Sequence, residues 1–227
     1  MDYTVIRSDR KTVCIQLTRT GDVVVRAPRR CSNAYIQSFL EDHQDWIRRH
    51  RAQLLDRNAS RDGFSLTEGM ELTLCGEPFR VHIVPGLKPR LFHGQLILPD
   101  RDMDRVRKDI LHLSKTYSLP WIRDRLDLWG TRMGISYQEL KLSTARSRWG
   151  SCSADGVIRI SVFLLFAPER AIDYVLVHEL AHRRHFDHSP AFWRVVESAV
   201  PDYQDQRAVL RQYQQEPFLQ SLAAKEA

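Results

Sequence analysis

His178-Glu179-Leu180-Ala181-His182 sets two imidazoles four residues apart with a carboxylate directly after the first, and His188 follows six residues later. A helix repeats about every 3.6 residues, so His178 and His182 fall on one face, one turn apart, where both can grip a single ion. Zinc suits such nitrogen donors, and a glutamate beside the first ligand can act as general base toward a water. These residue types at this spacing predict a zinc-dependent hydrolase, above all a peptidase.

The flanking residues predict the helix that positions the pair. Pro168 and Glu169 suit a first helical turn, the proline by its fixed φ and the acid by the positive end of the dipole. Ile172, Val175, Leu176 and Leu180 recur at helical spacing as a core-facing stripe. The motif therefore sits late in a largely buried helix, where unpaired His and Glu would be costly.

A catalytic zinc takes three protein ligands and keeps a fourth position open. His185, Asp187, His188 and Glu197 are the candidates for the third. In a continuous helix His185 lies ~10 Å along the axis from His178, too far to share an ion through bonds of ~2 Å. It suits a helix end instead. Ser189-Pro190 reads as an N-cap followed by proline at the first position of a new helix. The chain then turns at about residues 185–188, and His188 can swing back toward His178 and His182. Asp187 fits a turn or an acceptor behind a ligand, and Glu197 a helix surface, so His188 is the expected third ligand.

The stretch from Tyr174 to His182, with Asp187-His-Ser-Pro-Ala-Phe-Trp193, resembles the bacterial YgjP-like metallopeptidase family. Arg148-Trp149-Gly150-Ser151-Cys152 upstream and Pro201-Asp202-Tyr203 downstream extend the likeness. It is close from about Leu140 to Tyr203 and looser over the amino-terminal half. The family in turn is similar to SprT-like proteases. The resemblance implies His178, His182 and His188 as zinc ligands and Glu179 as catalytic base. It also implies a zincin-like fold with a small sheet beside the zinc helix and a backing helix before it. The histidine spacing equals that of metzincins, but His185 stands where their glycine would be, and the last methionine is Met133, so no Met-turn follows.

Arg146, Arg148, Tyr174 and Tyr203 are possible donors to a developing oxyanion, and the sequence alone leaves that role unassigned. Residues 139–144 and 157–161 alternate polar and apolar side chains, as half-buried strands do. They are expected to pair as a hairpin leading into the zinc helix. An edge strand there can hold an extended peptide by main-chain hydrogen bonds. Equally, Trp149 and Cys152 can simply pack beneath the site while Gly150 permits a bulge.

The fold class read from the sequence is α+β: a β-rich amino-terminal platform followed by a zincin-like metallopeptidase domain. The expected division is residues 1–99, a β-rich region with one helix from Ser32 to about Leu55; residues 100–215, the catalytic region; and residues 216–227, a polar tail. Residues 2–27 read as an antiparallel meander, Arg57 to Phe64 as a polar linker, and residues 103–133 as helix broken or kinked at Pro120. The chain has 227 residues, 43% of them hydrophobic, enough for a core. No apolar run is long enough to span a membrane. The start lacks the basic-then-apolar order of a secretory signal, and Cys14, Cys31, Cys75 and Cys152 have no metal spacing, so the expected location is cytoplasmic with reduced thiols.

A peptide or protein is the expected substrate, Zn2+ the expected cofactor. The formal net charge of +6 and clusters such as Arg48-Arg-His-Arg51 allow a nucleic-acid partner. Because SprT-like relatives act on DNA-bound protein, a DNA-associated protease is one alternative. A non-catalytic zinc-binding adaptor, told apart by absence of turnover, is another, and a module that uses zinc only to fold would be favoured if Cys152 were a fourth, closing ligand.

Overall fold

The computed structural model describes residues 2–18, 21–62 and 65–223, with side chains of 56–62 left aside. It is an α+β structure of two compact units, Met1–Gly63 and Phe64–Ala227.

In the first unit β1 (Tyr3–Ser8), β2 (Cys14–Leu17) and β3 (Val23–Pro28) form a sheet of order β1-β3-β2. Val23, Val25 and Ala27 alternate into the core and meet Ile36, Leu40 and Ile47 from α1 (Asn33–Asp42) and α2 (Gln44–Asp62). The meander is corrected here. β2 and β3 do pair antiparallel, but β1 runs parallel to β3, because β3, with its buried inward face, inserts between its two predecessors. The single helix is also two helices, parted at His43, and α2 runs on through residues 57–62 where a linker was expected. Residues 63 and 64 lie outside the described ones.

The second unit opens with β4 (Glu71–Leu74), β5 (Glu77–Ile83), β6 (Arg90–Phe92) and β7 (Gln95–Leu98), in the order β4-β5-β7-β6. The sequence placed these strands with the amino-terminal region. Their inward side chains, among them Leu72, Phe79, Val81 and Leu98, instead share one core with Val106, Ile110, Ile172 and Leu176, so the division falls at residues 63/64 and not at 99/100. Cys75 N–H donates to the Leu165 carbonyl at 2.7 Å, tying the same strands to the segment ahead of the motif helix.

α3 (Met103–Met133) starts at Asp102, whose carboxylate accepts from Arg105 N–H, and ends at Gly134 in the left-handed conformation with φ 61°, where glycine carries no Cβ penalty. It passes through Pro120 as one element. Pro120 and Thr116 both face solvent, so water can take the carbonyl that the proline leaves unpaired.

β8 (Glu139–Ser143), β9 (Gly150–Cys152) and β10 (Val157–Ser161) make the third sheet, of order β8-β10-β9. The expected hairpin of residues 139–144 with 157–161 is corrected: β8 and β10 pair in parallel, and the antiparallel partner of β10 is β9. A fully buried 3-10 turn, Val162–Phe166, then leads to α4 (Glu169–Ala181). α5 (Pro190–Ala199) and α6 (Tyr203–Tyr213) follow. The expected polar tail holds a short helix, α7 (Pro217–Leu222), because Leu219 and Leu222 find the core. Residues 224–227 lie outside the described ones. Among the described residues no helix is long and apolar enough to cross a membrane.

Candidate metal centre

α4 carries the motif as the sequence predicts. Ile172, Val175, Leu176 and Leu180 are buried, and the opposite edge of the last turn presents His178, with His182 capping the helix. The helix stops there. Ser189 then caps α5, its hydroxyl accepting from Phe192 N–H at 3.5 Å with Pro190 in the first turn. The intervening turn brings His188 back over α4.

The three imidazoles form a nearly equilateral triangle. Ring centroids lie 4.9 Å apart for His178–His182, 5.1 Å for His178–His188 and 4.9 Å for His182–His188. Phe192, fully buried, sits 4.8, 4.7 and 4.8 Å from the rings of His178, His182 and His188, so one phenyl ring is the floor on which all three stand. Each histidine offers a nitrogen within 4.8 Å of the others, and His178 Nε2 approaches His188 Nε2 to 3.2 Å. Tetrahedral zinc with ~2.05 Å bonds needs ligand nitrogens ~3.3 Å apart, so the His178–His188 separation fits that ion.

Protonation fits as well. His182 Nδ1 lies 3.1 Å from the His185 carbonyl, which can only accept, so Nδ1 carries the proton and Nε2 keeps its lone pair. Burial, then the neighbouring His182 and His188, pushes the His178 pKa down to about 3, which holds the ring neutral. Burial lowers that of His182 too, against the pull of the His185 carbonyl. Neutral imidazoles are what a metal binds.

Glu179, only 5% exposed, lies against the backbone of Gly150 on edge strand β9. Desolvation raises its pKa to about 8, with Arg148 drawing it down. Glu179 Oε2 is buried without a hydrogen-bond partner, a polar atom that a water or a substrate would satisfy, and His178 Nδ1, on the side of its ring away from His188, is unpartnered as well.

Other sequence candidates separate cleanly. The His185 ring is outside the cluster, and its carbonyl is the part that serves. Asp187 turns onto Ser189, which lowers its pKa, and Glu197 is exposed on α5. Cys152 is half-buried near Glu179 but does not join the metal-capable group, so among the described residues no thiol closes the site. Of the oxyanion candidates, Tyr174 stands with its ring 5.9 Å from that of His178 and 6.5 Å from Tyr203, and Arg148 faces Glu179.

Three contributors escaped the sequence reading. Phe192 follows the cap box, where an apolar residue announces only packing. Arg207 on α6 lies over the Trp193 ring at 5.6 Å, and nothing in the spacing of α6 singles it out. Asp173 sits inside the apolar face of α4, where it accepts a two-pronged pair from Arg125 (2.6 and 2.7 Å) and a bond from Trp129 Nε1 at 2.8 Å. A lone acid within an apolar helical stripe was the available signal.

The family model described as YgjP-like, metallopeptidase domain, matches residues 11–213. Among solved structures, the crystal structure of the metallopeptidase zymogen of Pyrococcus abyssi abylysin is similar. It shares 24% sequence identity and covers 40% of this chain and 95% of that chain, with a TM-score of 0.35. The chain matches no curated protein.

Proposed function

This chain belongs to the YgjP-like metallopeptidase family, and we propose on that premise that it is a zinc-dependent peptidase acting through His178, His182, His188 and Glu179. The observation that most supports this reading is the convergence of three imidazoles on one point, with a buried glutamate of unsatisfied oxygen next in sequence to the first of them. His178, His182 and His188 would hold the ion, and when bound it supplies a Lewis acid that acidifies water and polarises a carbonyl.

The protein's own groups do the rest. The Glu179 carboxylate takes the proton of the attacking water and hands it to the leaving amine, as a base lodged in an apolar pocket is suited to do near neutral pH. Gly150 brings the β9 backbone against Glu179, so an extended peptide laid along that edge would carry its carbonyl past the base. Phe192 closes the underside to water. The working location is the cytoplasm, where the four cysteines stay free.

Metal content per purified chain, followed by turnover of an unfolded protein substrate, tests the reading. Near-stoichiometric zinc with hydrolysis that vanishes in Glu179→Gln supports it. Hydrolysis that survives in Glu179→Gln, or folded protein that retains no metal, refutes it.

A further inference from the structure

The immediate surroundings of the three histidines are rich in positive charge. Arg148 bears on Glu179, Arg207 on His178, and Arg207 with Arg211 on Tyr174. The acids close by are engaged elsewhere: Asp202 is held by Arg170 at 2.6 Å and by Gln206 at 2.7 Å, and Asp187 by Ser189. Among the described residues neither Arg148 nor Arg207 has a hydrogen bond or an ion pair.

Arg207 is held in a particular way. Its guanidinium carbon lies over the Trp193 ring at 5.6 Å, and Trp193 in turn is 5.8 Å from the rings of both His178 and His188. Trp193 stacks on Tyr203 at 5.1 Å and 19°, and Tyr203 on Tyr174, so α4, α5 and α6 together build an aromatic wall running out from the cluster. A guanidinium over an aromatic face is attracted to it by the ring quadrupole and keeps its forked donors for a carboxylate. Imidazole ligands would bring no negative charge to a bound dication. The unpaired guanidinium groups of Arg148 and Arg207 at this end of the site therefore favour an anion.

We propose that Arg207, held over Trp193, anchors a substrate carboxylate beside the scissile bond, so that the site takes peptides carrying an acidic side chain or a free C-terminus there. The inference rests on the peptidase reading of the same site and names its substrate class. Arg207 is a binding and specificity residue in it, while Arg148 adds charge from the β9 side.

Binding tests this without turnover. The full chain, zinc-loaded and carrying Glu179→Gln to prevent cleavage, is titrated with alanine hexapeptides that hold one central Glu or one central Gln, each with a free or an amidated C-terminus. Trp193 gives a fluorescence readout and calorimetry a second. The expected result is a preference on the order of tenfold for the carboxylate-bearing member of a pair. Adding Arg207→Gln brings that ratio to about one, and Arg207→Lys leaves it in between, with zinc content unchanged in both. Preference confined to the Glu pair identifies a side chain as the source; preference confined to the free terminus identifies the C-terminus, and either supports the proposal. Equal affinity across all four peptides, absence of binding, or a preference that survives Arg207→Gln overturns it. The two readings fail differently: zinc-loaded wild type that cleaves neutral and acidic peptides equally removes only the anchor, whereas wild type that cleaves nothing removes the peptidase.

Discussion

Gly150 and Glu179 touch in a way that only a residue without a Cβ permits: a methyl at position 150 would lie 2.6 Å from Glu179 Oε1 and 2.7 Å from its Cγ. Glu179 is only 5% exposed, so its side chain has little open space to swing into. Gly150→Ala is therefore expected to displace the carboxylate while leaving the three histidines in place. Activity should fall about 100-fold, the scale of an ångström's misplacement of a catalytic group. Metal content measured alongside kcat/KM should stay near wild type.

Glu179→Gln removes the proposed base and keeps the volume. Hydrolysis should drop by about a thousandfold, within the range of general base catalysis. Zinc stoichiometry by mass spectrometry and the thermal transition should be retained.

His188→Ala tests the ligand supplied from outside the helix. His188 is exposed and lies in a turn, so the fold should survive while retained zinc falls well below one per chain. Chelation of the wild type should lower Tm by roughly 10 °C, since an ion at about a thousand times its Kd stabilises by about 4 kcal/mol. An unchanged melting curve would argue against a bound structural contribution from the metal.

Asp173→Asn should cost stability rather than chemistry. The change leaves Arg125, whose pKa Asp173 raises, facing a neutral amide, and weakens the bond from Trp129 Nε1. A loss of about 2–3 kcal/mol, discounted for the partial exposure of Arg125, should appear as a lower urea midpoint.

Cys75 should resist modification. Burial raises its thiol pKa to about 11, with the Ser118 hydroxyl pulling downward, so near pH 8 it stays a buried, protonated thiol. The folded state disfavours the thiolate, so stability linked to this group is intact below pH 9 and is lost as pH climbs toward 11. Alkylation of Cys75 at pH 8, followed by peptide mapping, should be slow until urea is added.

Much of the site was legible because it is local. The apolar stripe of α4, the Ser189-Pro190 start of α5 and the histidine spacing all act within a few turns of chain, where periodicity and capping rules apply directly. Strand partnership was not legible in the same way. Residues 139–143 and 157–161 both alternate as strands should, yet alternation carries no information about which edge a strand joins, so β9 went unrecognised as the partner of β10. Pro120 misled because its effect depends on whether water reaches the freed carbonyl, a tertiary fact. Gly150 and Arg207 take their roles from neighbours that the chain brings in from other elements, which no spacing encodes.

One arrangement recurs in every sheet: β3 lies between β1 and β2, β7 between β5 and β6, and β10 between β8 and β9, each time parallel to the first strand and antiparallel to the second. On a ribosome the two outer strands of each trio emerge with open edges and wait for the third to wedge between them. For the last trio, β9 is pinned only once β10 arrives, and α4 is synthesised after both. Glu179 thus meets Gly150 only after β10 has joined the sheet, and zinc offered to the nascent chain would encounter loose imidazoles before it encountered a cage. Uptake of an ion by the three histidines would then come late in biogenesis, because the turn that carries His188 follows every strand of the sheet.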